Sequence, residues 1–544
     1  VANHLLSSLI LIPLIGSLLF LILPLKQERI IQWLNLGFSI LLFILIAFIG
    51  IREYQNLQGL SNYGDVLLIE KWEWFRFSIG SFGEVSIDYF LGLDGINFPL
   101  IILSGVILVI GAIFSFEIKN QVKGYMALYQ LISAAIIGSF LALDFFLFYL
   151  FFEFMLLPMF FLIGIWGGPR REYASIKFFI YTLFGSLFIL AVMIVLNIST
   201  FDMGKTALES ASFLEEGLIH GFNLFEYSDQ NSILKNSPLD AESAYGFWSE
   251  SIRFWAFWAL IFGFMIKLPA VPLHTWLPDA HVEAPTPVSI ILAALLLKIG
   301  AYGIIRIALP VFPDIFMNSL TALGIIGVIS IVYGGMNALA MKDLKKMIAY
   351  SSVSHMGFVL LGLAAFNIEG LIGANYQLLS HGLISAMLFI LAGVIYRRTG
   401  SRDISHYSGL NAKMPVYASF TLLAFLAGMG LPGFSGFIAE VLVLIGAFGA
   451  SMQNGISIWL PILGLLGIFI SAAYFLWTMQ RMFFGKFSLI NSSWGEKIKD
   501  LENYEKFSLM ALVLFALLIG IFPSLIIDIS EISIQNLINQ IQLK

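Results

Sequence analysis

The chain has 544 residues, 59% hydrophobic and only 12% charged, with a formal net charge of −5 and a mean hydropathy of +0.91. That balance excludes a water-soluble globular surface and describes an integral membrane protein. The absence of cysteine excludes a thiolate-ligated iron–sulfur cluster and a disulfide framework, and no basic run interleaved with aromatics points to nucleic acid.

A hydrocarbon core of about 30 Å needs roughly 20 apolar residues of helix. Fourteen segments meet that length, near 4–25, 31–51, 89–115, 124–143, 145–166, 173–199, 252–279, 285–310, 315–340, 343–366, 370–395, 414–448, 453–480 and 504–527. The first is followed, not preceded, by Lys26 and Arg29 and lacks a small-residue cleavage site, so it is expected as a retained helix and not a signal peptide. Between the second and third, 52–88 includes KWEWFRFSIGSFGEVSIDYF, whose aromatics alternate with polar residues and predict a short interfacial hairpin. The insertion near 200–250 carries nine acidic residues against Lys205 and Lys235. It reads as a solvated outer loop, with a docking surface for a neighbouring subunit as the alternative. After about 527 only a short tail is expected.

Basic residues are enriched in cytoplasmic loops. Starting outside, alternate loops collect Lys26 and Arg29; Lys119 and Lys123; Arg170, Arg171 and Lys177; Lys342, Lys345 and Lys346; Arg397, Arg398, Arg402 and Lys413; and Arg481, Lys486, Lys497, Lys499 and Lys506. These loops are assigned to the cytoplasmic side, or the equivalent matrix side, and an even helix count then puts both termini outside; a bacterial inner membrane, with the termini in the periplasm, is the expected location.

Two segments are interrupted. Segment seven reads GFMIKLPAVPLHTWLPDAH, with Pro269, Pro272 and Pro278, and segment twelve reads LAGMGLPGFSGFIAE, with Pro432 among Gly428, Gly430, Gly433 and Gly436. Proline removes a backbone donor, so both helices should unwind near mid-membrane, where exposed backbone must line a polar cavity. The breaks fall in the fourth helix of each of two five-helix units, 124–310 and 311–480, and an odd helix number inverts the second unit relative to the first. The expected fold is therefore all-α and polytopic, with about 14 transmembrane helices and two inverted five-helix repeats, each with a broken helix. Residues 1–123 hold the N-terminal helices and outer hairpin, and 481–544 a cytoplasmic loop and the final helix. GMGLPG at 428–433 fits a dinucleotide-binding spacing, but no strand precedes it, so that reading is discarded.

Charges inside apolar runs are costly and mark ion pathways. Glu153 and Lys267 are opposite charges in the first unit, either a fixed pair or a switchable one. Lys298 lies twelve residues from both Thr286 and Pro310, about 18 Å from either end of its helix, and its proton affinity is tunable where an arginine's is not. His355 and His381 occupy neighbouring helices of the second unit, and Glu440 is the acid beyond its break. Lys298 reads as a proton carrier or a static interhelix salt bridge, the two histidines as a relay through water or as hydrogen-bonded packing residues, and Glu440 as the acid of the second break or a helix-end carboxylate facing solvent.

At these residues the chain resembles the antiporter-like membrane subunits of respiratory complex I, the proton-translocating NADH-quinone oxidoreductase. The match runs through KLPAVPLHTWLPDAHVEAPTPVSIILAALLLKIGAYGIIR, MKDLKKMIAYSSVSHMG and GLPGFSGFIAE. The resemblance implies that Glu153 and Lys267 form the input pair, Lys298 is the central lysine, His355 and His381 connect the halves, and His274 is a further polar position. An acid at 440 resembles the M branch, homologous to mitochondrial subunit 4, whereas the L and N branches carry lysine there. The resemblance also implies no cofactor in this chain. FMN, iron–sulfur clusters and quinone are expected in the assembled complex, with L- and N-type subunits and the lipid bilayer as partners. Subunits of sodium/proton antiporters and membrane-bound hydrogenases share these motifs.

Overall fold

The structure is a computed structural model that describes residues 4–22, 27–80, 83–206, 212, 217–240, 247–453, 455–491, 494 and 498–542. Lys26, Lys497, Lys544, both termini and part of the acidic insertion, including 241–246, lie outside them. Thirteen of the described helices are long and apolar enough to cross a membrane. The fourteenth expected span is the broken one at 252–279.

Helices α1 (Leu5–Ile22) and α2 (Glu28–Leu57) precede a hairpin of β1 (Leu67–Ser78) and β2 (Glu84–Leu93), in register Trp72↔Tyr89 and Arg76↔Ser86. The two-residue strand β3 (Ile219–His220) adds parallel to β2. Sequence had placed the start of the third helix at 89. It starts later, as α3 (Phe98–Phe114), because 84–93 pairs in the sheet and the Asp94 carboxylate accepts the N–H groups of Ile96 and Asn97 in the intervening turn.

Then follow α4 (Val122–Leu141), α5 (Phe145–Phe154), α6 (Leu156–Trp166) and α7 (Arg171–Ser199). The expected single span 145–166 is interrupted at Met155, since Pro158 lacks the N–H that would bond the Phe154 carbonyl. A short helix, α8 (Leu224–Tyr227), leads to the first expected break: α9 (Phe247–Lys267) stops at Lys267 and α10 (Trp276–Glu283) resumes after a cis Val271–Pro272 bond. The eighth span is α11 (Thr286–Ile291), α12 (Leu297–Gly303) and α13 (Leu309–Val311), joined by wide π-helical turns at Leu292–Leu296 and Ile304–Ala308.

The second unit runs through α14 (Pro313–Ala340), α15 (Leu344–Ala365) and α16 (Ile368–Thr399). Past the two-residue strand β4 (Tyr407–Ser408) come the second broken span, α17 (Pro415–Gly428) with α18 (Ser435–Met452), and then α19 (Trp459–Phe483). Each unit thus has five spans, and in both the fourth is broken, as expected; in the first unit the second span is interrupted as well. After β5 (Ser488–Leu489) and α20 (Asn503–Ile521), Pro523 ends the last span. The short tail expected beyond it is instead a helix, α21 (Ser524–Gln542), which buries Ile526, Ile529, Ile534, Leu537, Ile538 and Ile541 at helical spacing. Within the bundle, the Thr286–Val311 span and α16 are buried along their membrane-crossing lengths, whereas most of α2 and α7 is not buried. The centre of the fold is therefore the contact between the two units.

Candidate functional site

Lys298 sits on α12 between the two wide turns and is fully buried. Its Nζ donates to the Ala293 carbonyl at 2.6 Å, reachable across the Leu292–Leu296 turn, and lies 2.8 Å from His381 Nδ1. His381, buried on α16, faces His355 of α15 with ring centroids 5.5 Å apart. His355 Nδ1 is 3.4 Å from Glu440 Oε1 and 3.3 Å from Gln377 Nε2. Glu440 lies in the second turn of α18, only 3% exposed, with its carboxylate against the second break: a Cβ on Gly430 would stand 2.6 Å from Glu440 Oε2. Lys298, His381, His355 and Glu440 thus form one line of titratable groups from the middle of the first unit to the break of the second. Burial removes the water that would otherwise screen their interactions.

On the other side of Lys298 the groups are neighbours without being joined. Lys267, 2% exposed, is the last residue of α9, and its Nζ donates to the Phe152 carbonyl at 3.2 Å. Among the described residues no Lys267–Glu153 contact falls within 4.0 Å, and Glu153 Oε1 has no hydrogen-bond partner. Neither the fixed nor the closed form of that pair is present; the arrangement is open. Lys267 approaches the central helix through Gly300, whose added Cβ would lie 2.7 Å from the Leu268 nitrogen and 3.1 Å from the Lys267 carbonyl carbon.

His274 is not brought into the line. It is buried, its ring packs edge-on to Tyr333 at 5.3 Å, and neither ring nitrogen has a hydrogen-bond partner among the described residues. Near it Lys177 pairs with Asp279 at 2.7 Å and Thr275 donates to Tyr181 at 2.9 Å, so the first break has a polar cluster of its own.

Three features escaped the sequence reading. Lys345, placed there in a solvated loop, is buried on α15 and donates to the His281 and Ala284 carbonyls and to Ser289. His281, buried with both ring nitrogens unpartnered among the described residues, stacks on Phe389 at 4.4 Å. Arg306 pairs with Asp94 at 2.5 Å and donates to the Tyr302 hydroxyl at 3.2 Å, both charges being buried. Arg306 alone left a trace in the sequence, a lone charge in GIIRIALP.

Outside the membrane-spanning segments, the loops on the hairpin side gather charge. Lys205 bonds Asp88 at 2.6 Å and lies 3.5 Å from Asp202. Burial, aided by the negative Asp202 nearby, pushes the Glu226 carboxyl up to about 7. On the opposite side Arg397 and Arg398 both pair with Glu505, tying α16 to α20.

The family profile described as NADH:quinone oxidoreductase/Mrp antiporter, TM, matches residues 142–471, which include both breaks and every residue of the line. The chain is 35% identical over 542 residues to the NADH-quinone oxidoreductase subunit M of Rickettsia typhi, covering 98% of each chain. It is 39% identical over 459 residues to the subunit M of Rhodobacter capsulatus, covering 84% of this chain and 83% of that one. Among solved structures, a chain of respiratory complex I from Thermus thermophilus superposes with a TM-score of 0.77 at 28% identity, over 98% of this chain and 99% of that one.

Proposed function

The chain belongs to the NADH:quinone oxidoreductase/Mrp antiporter transmembrane family, and from that premise we propose a route for the proton through it. It is an antiporter-like, proton-translocating membrane subunit of the NADH-quinone oxidoreductase type, of the M branch. Unit 124–310 is the input half and unit 311–480 the output half.

A proton enters from the cytoplasmic side beside the first break, where His274 and the Lys177–Asp279 pair lie, and is held on Lys267. Closing Lys267 onto Glu153 favours the protonated amine; opening the pair releases the proton toward Lys298 across the Gly300 contact. From Lys298 Nζ it passes to His381 Nδ1. It leaves that ring toward His355, whose ring centroid lies 5.5 Å away, and reaches the Glu440 carboxylate for release outward. Moving one charge against the membrane potential costs about 2.3 kcal/mol per 100 mV, so the driving reaction must be coupled from outside this chain. Electron transfer from NADH to quinone, with its FMN, iron–sulfur clusters and quinone, is assigned to partner subunits, since a chain without cysteine has no thiolate to hold a cluster. The neighbours are the paralogous L- and N-type membrane subunits. The membrane is a bacterial inner membrane, with both termini on its periplasmic side.

The observation that carries this reading is the buried line at 2.8, 5.5 and 3.4 Å from Lys298 to Glu440. The test is proton pumping and NADH oxidation in vesicles holding the assembled complex with Glu153→Ala or Lys298→Ala. The expected result is intact assembly with at least a tenfold loss of pumping; unchanged pumping in the Lys298→Ala complex overturns the route.

A further inference from the structure

The open state of the Glu153–Lys267 pair is itself a built arrangement. Lys267 Nζ lies 3.8 Å from the centroid of the Phe152 ring and 3.2 Å from the carbonyl oxygen of the same residue. Phe152 is 1% exposed, and its ring is braced by Phe148 at 5.7 Å and by Phe264, edge-on, at 6.1 Å. The carbonyl is available because α5 stops at Phe154, so Phe152 lies in its last turn, where unpaired carbonyls carry partial negative charge. The neighbouring Glu153, meanwhile, keeps one oxygen unpartnered.

We propose that Phe152 is a positioning residue for proton transfer, its ring and carbonyl forming a second berth for the Lys267 ammonium when Glu153 is disengaged. The inference rests on the Glu153–Lys267 reading above and adds a partner to it. Consecutive helical residues point about 100° apart. One short segment therefore offers the amine a carboxylate on one side and a ring face on the other, and a side-chain rotation exchanges them with no backbone movement. The ring attracts the charged amine and not the neutral one, because the attraction is between a cation and the ring's quadrupole, and it is strongest in a desolvated site. The berth therefore keeps the proton on Lys267 while the carboxylate is away, until Lys298 is ready to accept it. Without it the ammonium would face apolar burial alone once the pair opened, and the open state would be too sparsely populated to pass protons forward.

The test replaces Phe152 in the assembled complex with 4-fluoro-, 3,5-difluoro- and 3,4,5-trifluorophenylalanine, which drain the ring face stepwise at nearly constant size. Assembly and NADH-driven proton pumping are measured in vesicles, with Glu153→Gln as a parallel variant. The expected result is constant assembly, pumping that falls with each fluorine to roughly one-tenth at the trifluoro ring, retained pumping in Phe152→Tyr and a loss in Phe152→Leu. Should the trifluoro ring lower assembly, the mono- and difluoro forms carry the trend. A flat series with pumping lost in Glu153→Gln overturns the Phe152 berth and leaves the relay standing. Normal pumping in Glu153→Gln overturns the relay itself, and the berth with it.

Discussion

The two broken helices differ in what breaks them and in what the break does to the nearest charge. In the first, Pro269 and Pro272 end α9 at Lys267, leaving a cation at a helix C-terminus, where the macrodipole favours it, and away from its carboxylate partner. Trp276 Nε1 then bonds back to the Ile266 carbonyl at 2.8 Å, pinning α10 to the end of α9. In the second, Gly430 and Gly433 adopt positive φ, and the Glu440 carboxylate fills the space that Gly430 leaves, near the N-terminal end of α18 and already beside His355. One device thus leaves an unjoined cation at the first break and a carboxylate beside a histidine at the second. The difference teaches that proline breaks set a charge at a helix end, whereas glycine breaks admit a charge against backbone.

The contrast can be broken most severely at the first break. Lys267→Arg keeps a cation that can rest on a carbonyl and a ring but cannot release its proton. Pumping in vesicles is expected to fall tenfold or more with assembly intact, and normal pumping would remove Lys267 from the route.

The second break is sharpened by a paired comparison. Gly430→Ala and Gly433→Ala both force a side chain into left-handed backbone, at φ +72° and +99°, and each should cost about 1–2 kcal/mol in thermal unfolding. At Gly430 the new Cβ would also displace Glu440, whereas at Gly433 nothing lies within 4 Å. Only Gly430→Ala should therefore lower pumping several-fold, and equal pumping in the two would mean that the carboxylate's seat against the break is unimportant.

The smallest effect lies in the loops beside the hairpin. The Glu226 carboxyl is raised from 4.5 to about 7 by burial and by Asp202, so the folded protein binds this proton more tightly than the unfolded chain. Its contribution to stability is complete below pH 4.5 and is lost as pH rises through 7. Glu226→Gln should raise the unfolding temperature by roughly 1–2 °C at pH 8 and leave it unchanged at pH 5; equal shifts at the two pH values would contradict that assignment.

The membrane spans and both breaks were legible because apolar length and proline or glycine clusters are local signals. Lys298, His381, His355 and Glu440 could be picked out because each is a polar residue where hydropathy allows none. The details of their surroundings were not legible. The wide turns on either side of Lys298 have no compositional mark, since LAALL and IIRIA read as ordinary helix. Lys345 looked like one more basic loop residue, and only the packing of α15 on the turn at Ala284 reveals that it is buried. Arg306 finds Asp94 some 212 positions away, a separation no window captures. Helix α21 fell below the hydropathy expected of a span because half its surface is polar, although its isoleucines keep helical spacing.

Glu70, in the hairpin strand β1, accepts the N–H groups of Leu6 at 2.7 Å and Ser7 at 3.1 Å, at the very start of α1. Those donors belong to a helix end that has no partners of its own. The carboxylate that satisfies them is carried back to this end of the bundle by α2 and the hairpin. A hairpin on the opposite face of the bundle could not close that junction, so a single acid some sixty residues downstream holds the start of the first span to the far end of the second.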